Sequence, residues 1–143
     1  MMSAEVGCPQ TGIQCLAAVA QYRGLQADPE CLIRKYGVLG EEPDVPAVMR
    51  LASDIGLSVK AGTATWNALQ AMKQTFPLLA RLRNGHWVVV VGSPADDVEK
   101  VAIIDPLEPR ASALVLKREH FCSQWSGEVV LLSLAAQLLA RAA

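Results

Sequence analysis

Two histidines, His86 and His120, and four cysteines, Cys8, Cys15, Cys31 and Cys122, make imidazole-assisted thiol chemistry the first reaction class to weigh. His86 is the better placed base. It stands at the mouth of the apolar run Trp87 to Val91, directly after the turn signal Asn84-Gly85. A symmetric second hairpin, turning between Ala95 and Asp96, sets Asp105 opposite His86. Opposed residues of an antiparallel pair have Cβ atoms ~4.5–5.5 Å apart, near enough for a carboxylate to accept from an imidazole N–H. Taken by itself, the pair more often has a structural role, satisfying two polar groups at a sheet edge.

A His–Asp pair needs a nucleophile. A thiol is most activated at a helix N-terminus, where the dipole stabilises thiolate and free backbone N–H groups can hold an oxyanion. No cysteine occupies such a place. Cys15 lies one turn into the first predicted helix beside Ile13, Leu16 and Ala20, and Cys31 lies mid-helix; both read as packing. Cys122 flanks Phe121 and Trp125, and Cys8 precedes Pro9 in an N-terminal arm. The residue that does stand at the head of the first helix is Thr11. An internal threonine there reads as a cap, since a catalytic threonine relies on its own free α-amine.

The elements that must position these residues follow from periodicity. Ile13, Leu16, Ala17 and Ala20 recur at helical spacing from Gly12 to Tyr22, and Gly24 closes that helix. Asp28-Pro29 opens a short helix to about Tyr36. Asp44 opens a third, with Val45, Val48, Met49 and Ala52 inward and Gly56 at its end. Thr65 caps a fourth, Trp66 to Lys73. The period then changes to two. Leu78 to Leu82 and Trp87 to Val91 form a hairpin, Val98 to Ile104 and Ala111 to Leu116 two further strands, Arg118 to Gln124 a helix, and Glu128 to Leu132 a last strand. Helices followed by an antiparallel sheet define an α+β class.

Composition bounds the rest. The 143 residues are 52% hydrophobic and 19% charged, with 13 Lys+Arg against 14 Asp+Glu, which describes one globular domain. A chain of this length buries roughly two-thirds of its unfolded surface and needs no disulfide or metal staple. Without a basic block, neither nucleic acid nor an anionic lipid surface is an expected partner, and no cofactor or metal is expected. The start MMSAEVG lacks a signal-peptide pattern, and the cysteines are expected as reduced thiols. The longest apolar stretch, Val129 to Ala140, is interrupted by Ser133 and Gln137 and falls short of the ~20 residues of a membrane span.

The run from Thr11 to Gly24, with Gly12, Cys15, Tyr22 and Gly24, resembles the first helix of the C39 peptidase family, whose pattern is Asp-Cys-Gly, a small apolar run, then Tyr and Gly. Gly85-His86-Trp87-Val88-Val89-Val90 is similar to that family's His strand, and Ile104-Asp105-Pro106 to its Asp-Pro motif. Glu119-His120-Phe121 with Trp125-Ser126-Gly127 resembles its closing helix and turn. The pieces occur in order over about residues 8 to 133. The resemblance implies a papain-like cysteine-peptidase fold, N-terminal helices packed on an antiparallel sheet. It also implies that Thr11 stands where the catalytic Cys belongs, Gln10 where its preceding Asp belongs, and Glu5 where an oxyanion-hole Gln belongs.

With His86 and Asp105 retained but the nucleophile and the oxyanion-hole Gln replaced, the chain is similar to the peptidase-dead C39-like domains of ABC exporters in type I secretion, the branch that exports RTX-type toxins. That implies a domain at the cytoplasmic face of the bacterial inner membrane that docks an unfolded secreted polypeptide. It also implies transmembrane and nucleotide-binding domains in the same exporter. Residues 1–133 are then the C39-like domain and 134–143 the start of a connector. Trp87, His86 and Trp66 are candidates to contact the docked chain. Two alternatives stay open: an active peptidase for double-glycine leaders using Cys8 or Cys15, and a free-standing interaction domain.

Overall fold

The computed structural model describes residues 10–36, 42–72, 76–92, 98–107 and 113–134. Helix α1 (Thr11–Tyr22) buries Ile13, Cys15, Leu16, Ala17, Val19 and Ala20, the expected stripe. Helix α2 (Pro29–Tyr36) begins with the expected Pro and lays only partly buried Leu32 and Ile33 on the core. Helix α3 (Val45–Asp54) is capped by Asp44, whose Oδ1 accepts from the Ala47 N–H at 2.9 Å, with Pro46 in its first turn. Helix α4 (Trp66–Ala71) starts in the same way, Thr65 Oγ1 accepting from the Ala68 N–H at 3.2 Å. It is shorter than the expected Trp66–Lys73, and Lys73 lies outside the described residues. Helix α5 (Arg118–Gln124) matches its expected bounds.

Six strands among the described residues form one antiparallel sheet: β1 (Leu57–Thr63), β2 (Leu78–Leu82), β3 (Trp87–Gly92), β4 (Lys100–Ile104), β5 (Leu114–Lys117) and β6 (Trp125–Leu134). Their order across the sheet is β1-β6-β2-β3-β4-β5. Strand β1 was not among the expected elements. Leu57, Val59 and Ala61 alternate with Ser58, Lys60 and Gly62, a period of two that the Lys and Gly dilute, and pairing along β6 supplies the rest. Strand β6 is longer than the expected Glu128 to Leu132 because it continues from the α5 turn across both β1 and β2.

The β2–β3 hairpin forms where Asn84-Gly85 predicts it, but with a three-residue loop. The Leu82 N–H donates to the His86 carbonyl at 2.8 Å and the Gly85 N–H to the Leu82 carbonyl at 2.9 Å. Arg83, Asn84 and Gly85 make the turn, and Gly85 takes the left-handed φ of 92° that such loops require at their end. The β3–β4 register corrects an expectation. Val89 pairs with Ile104 and Val90 with Ile103, then the register slips before Gly92 and Ala102. Continued toward the hairpin mouth, the ladder sets Asp105 beside Val88, two residues along from His86. The symmetric pairing that placed Asp105 directly opposite His86 already fails next to the turn, where Gly92 pairs with Ala102 in place of the residue before Lys100, and the slip between Gly92 and Val90 recovers only one residue of that offset. The shift of two keeps the side on which Asp105 was expected, because strand side chains repeat every second residue.

The sheet carries a core on each face. On one, Leu79, Trp87, Val89, Val130 and Leu132 meet Ile13, Leu16 and Val19 of α1 and Val48, Leu51 and Ala52 of α3. On the other, Leu78, Ala80, Val88, Val90, Val101 and Ile103 meet Trp66 and Leu69 of α4 and Phe121 of α5. The continuous run Trp87 to Val90 is apolar on both sides because both sides are covered. No helix among the described residues is long and apolar enough to cross a membrane.

Candidate functional site

The first turn of α1 lies against the start of β3, so the helix N-terminus and His86 come to one end of the sheet. Gly12 makes the approach possible: a Cβ there would lie 2.5 Å from Pro43 Cγ and 2.9 Å from Trp87 Cδ1. Trp87 is fully buried under α1, and its indole Nε1–H donates to the Pro43 carbonyl at 2.9 Å. That bond ties the segment before α3 to the strand and brings Glu42 over the helix start.

Gln10, the residue before α1, is in the left-handed region with φ 58° and ψ 49°, and its side chain does not cap the helix. The cap comes from Glu42, 31 residues away in sequence. Glu42 Oε2 accepts from the Thr11 N–H at 3.0 Å and from Thr11 Oγ1 at 2.7 Å, while Oε1 accepts from the Gly12 N–H at 3.1 Å. The Thr11 hydroxyl in turn accepts from the Trp87 N–H at 2.8 Å. Thr11 is wholly buried, its hydroxyl donating once and accepting once. The carboxylate sits on the positive end of the helix dipole, which stabilises it there.

His86 is half-buried, and its Nε2 lies 3.9 Å from Glu42 Oε2. Its backbone N–H donates to Asn84 Oδ1 at 2.9 Å, which fixes the strand mouth. Asp105 Oδ1 accepts from the Leu107 N–H at 2.9 Å, a local turn beyond the end of β4. His86 and Asp105 share a cavity of about 350 Å³, completed by Leu82, Arg83, Asn84, Leu107 and the α5 residues Ser123 and Gln124. A second hollow of about 200 Å³ lies between α1 and the sheet, lined by Ala18, Val19, Tyr22, Phe76, Pro77, Val89, Val91 and Ile104. It is apolar, and Tyr22 at its rim is 71% exposed.

The structure thus brings Thr11 and His86 together through Glu42, and sets Asp105 in the cavity beside His86. Glu5 and Cys8 lie outside the described residues, as do residues 135–143 of the expected connector. Cys15 is packed in the core as expected. Burial pushes its thiol well above the ordinary range, and the charges of Asp105 and Glu42 push it further. Cys31, expected as packing, is exposed instead, because α2 shows solvent its Cys31 face while Leu32 and Ile33 turn inward.

Two expectations about docking contacts are corrected. Trp87 is interior, held under α1 as described. Trp66 is interior on the opposite side of the sheet, its ring centroid 6.1 Å from that of Phe121 and its Nε1–H donating to the Val98 carbonyl at 2.9 Å. Both indoles are spent on packing and internal hydrogen bonds, so neither offers a free ring to a docked chain. Glu42 was missed. Its sequence context, Gly40-Glu41-Glu42-Pro43-Asp44, reads only as an acidic approach to a helix cap, and nothing local ties it to residue 11.

Helices packed on an antiparallel sheet, with one helix N-terminus near a histidine at the mouth of the facing strand, form the frame of a papain-like peptidase fold. The sequence profile of the peptidase C39 family matches residues 3–137, and the chain belongs to that family. Among solved structures it is similar to the N-terminal peptidase C39 like domain of the toxin secretion ATP-binding protein from Vibrio parahaemolyticus. That match has 19% identity and a TM-score of 0.73 over 89% of this chain and 98% of that one. It is similar also to the peptidase domain of Streptococcus ComA, a bi-functional ABC transporter of a quorum-sensing pathway, at 22% identity and a TM-score of 0.76, covering 87% and 90%. A double glycine motif protease from an AMS/PCAT transporter, solved with its leader peptide, matches at 21% identity and a TM-score of 0.75, covering 94% and 89%. At these identities the likeness establishes the fold. No curated protein sequence matches the chain significantly.

Proposed function

We propose that this domain is a non-cleaving C39-like domain of a type I secretion ABC exporter, holding the unfolded secreted polypeptide on the cytoplasmic side of the inner membrane before translocation. The observation that carries this reading is the state of Thr11. At the head of α1, the place a family thiol takes, stands a buried hydroxyl whose proton is directed to Glu42 at 2.7 Å and not to His86. Cys15 cannot substitute for it, because its thiol is enclosed in the core and pushed toward the neutral form. The apolar hollow beside Tyr22 and the polar cavity at His86 give an extended chain two places to rest. Exporter membrane and nucleotide-binding domains are the further partners this reading requires.

Two measurements test it. Incubated with a peptide carrying a double-glycine leader end, the domain leaves the peptide intact, and thiol-directed inhibitors make no difference. Pull-downs retain denatured secreted substrate in preference to the folded form, with affinity on the order of micromolar or weaker, since ordering a disordered chain offsets much of the contact energy. Inhibitor-sensitive cleavage, or equal retention of folded and denatured substrate, overturns the reading.

A further inference from the structure

We propose that Glu42 is a built-in occupant of the site: its carboxylate fills the place at the α1 N-terminus where a bound peptide's carbonyl oxygen would gain negative charge, and keeps that place closed. The proposal rests on the reading above in taking the α1 start as the end where family chemistry occurs. An oxyanion is held by donors 2.7–3.1 Å from its position. The Thr11 and Gly12 N–H groups meet the two Glu42 oxygens at 3.0 and 3.1 Å, so the backbone donors suited to that task already bind an anion belonging to the chain. The Glu42 side chain is only 7% exposed, and Pro43 is anchored by Trp87, so little water reaches the carboxylate and the segment carrying it is tethered.

Glu42 acts on the other two parts of the site as well. Its Oε2 accepts the hydrogen bond of the Thr11 hydroxyl, and the same oxygen lies 3.9 Å from His86 Nε2, so the imidazole faces a carboxylate in the direction of the nucleophile position. A thiol placed at residue 11 would meet that negative charge at hydrogen-bond range, which disfavours thiolate. Loss of the thiol and closure of the helix terminus are therefore two separate obstacles. Restoring Cys at position 11 alone leaves the second in place.

The experiment compares Thr11→Cys with Thr11→Cys/Glu42→Gln in the full chain. Glutamine keeps the shape and an acceptor oxygen but removes the charge. Thiolate formation at residue 11 is read from the ultraviolet absorbance of the thiolate on raising the pH, as the difference from the unaltered chain, so that Cys8, Cys15, Cys31 and Cys122 cancel and reagent access to the buried position does not enter. The midpoint in the double variant is expected about one pH unit lower or more, because the opposing charge is gone. Equal midpoints overturn the proposal. A second measurement does not depend on the double variant folding: in Glu42→Ala, amide hydrogen exchange at Thr11 and Gly12 accelerates while the rest of α1 keeps its protection. Unchanged exchange at those two amides also overturns it. Cleavage of a leader peptide by the unaltered chain would remove the docking reading without affecting either comparison.

Discussion

At the scale of the residue, the tightest point in the molecule is the contact of Gly12 with Pro43 and Trp87. A single added methyl group at position 12 would sit 2.5 Å from Pro43 Cγ, well inside van der Waals contact distance, and both neighbours are fixed by the Trp87 indole hydrogen bond. Gly12→Ala is expected to destabilise the fold by about 1–3 kcal/mol, the usual cost of overpacking, and to lower the melting temperature by several degrees. Calorimetry checks it, and an unchanged midpoint would show that the 42–44 segment yields easily. The same residue marks how far the site could be read in advance. Thr11 at the head of α1 and His86 at the mouth of β3 are legible because helix periodicity and turn signals are local, whereas the register that set Asp105 opposite His86 was not. Glu42 is not, because its role exists only after residues 31 positions apart have met. Trp66 and Trp87 misled for a related reason: an indole in a sequence does not say which way it faces.

At the scale of the element, the helices were readable by their caps and the sheet less so by its register. Asp44 and Thr65 both hold the N–H three residues on, as the pattern of a short polar residue before an apolar stripe requires. Asp44→Ala is expected to cost about 1 kcal/mol, and because the cap lies two residues from Glu42 it loosens the carboxylate as well as α3. Chemical denaturation, with amide exchange at Gly12 as a second readout, separates the two effects. Strand β1 and the slip between Val90 and Gly92 escaped the sequence. The first is an edge strand made by pairing with β6, and the second depends on how a ladder ends. Both are settled by long-range contacts that periodicity does not encode.

At the scale of the whole molecule, Cys15 reports on the integrity of the larger core, since its thiol is enclosed between α1 and the residues packed against it. Its folded state holds the proton more tightly than the unfolded chain does, through burial first and then the Asp105 and Glu42 charges. Below the ordinary thiol pKa of about 8.5 both states are protonated and this group leaves stability unchanged. Above it the unfolded chain releases a proton that the folded one keeps, so stability is expected to fall as pH rises, by at most about 1.4 kcal/mol for each pH unit. Denaturant titrations at pH 7 to 10, repeated on Cys15→Ala, isolate this contribution, and an unaltered slope in the variant would assign it elsewhere. The hydroxyl of Thr11 carries a different kind of consequence. It joins the N–H of a residue 76 positions later to a carboxylate 31 positions later, so three distant stretches of chain close on one oxygen. Contacts of such wide sequence separation form only once the intervening loops have closed. The residue at the head of the first helix is thus satisfied only when all three stretches are in place, so its protection from solvent reports on the assembled domain and not on α1 alone.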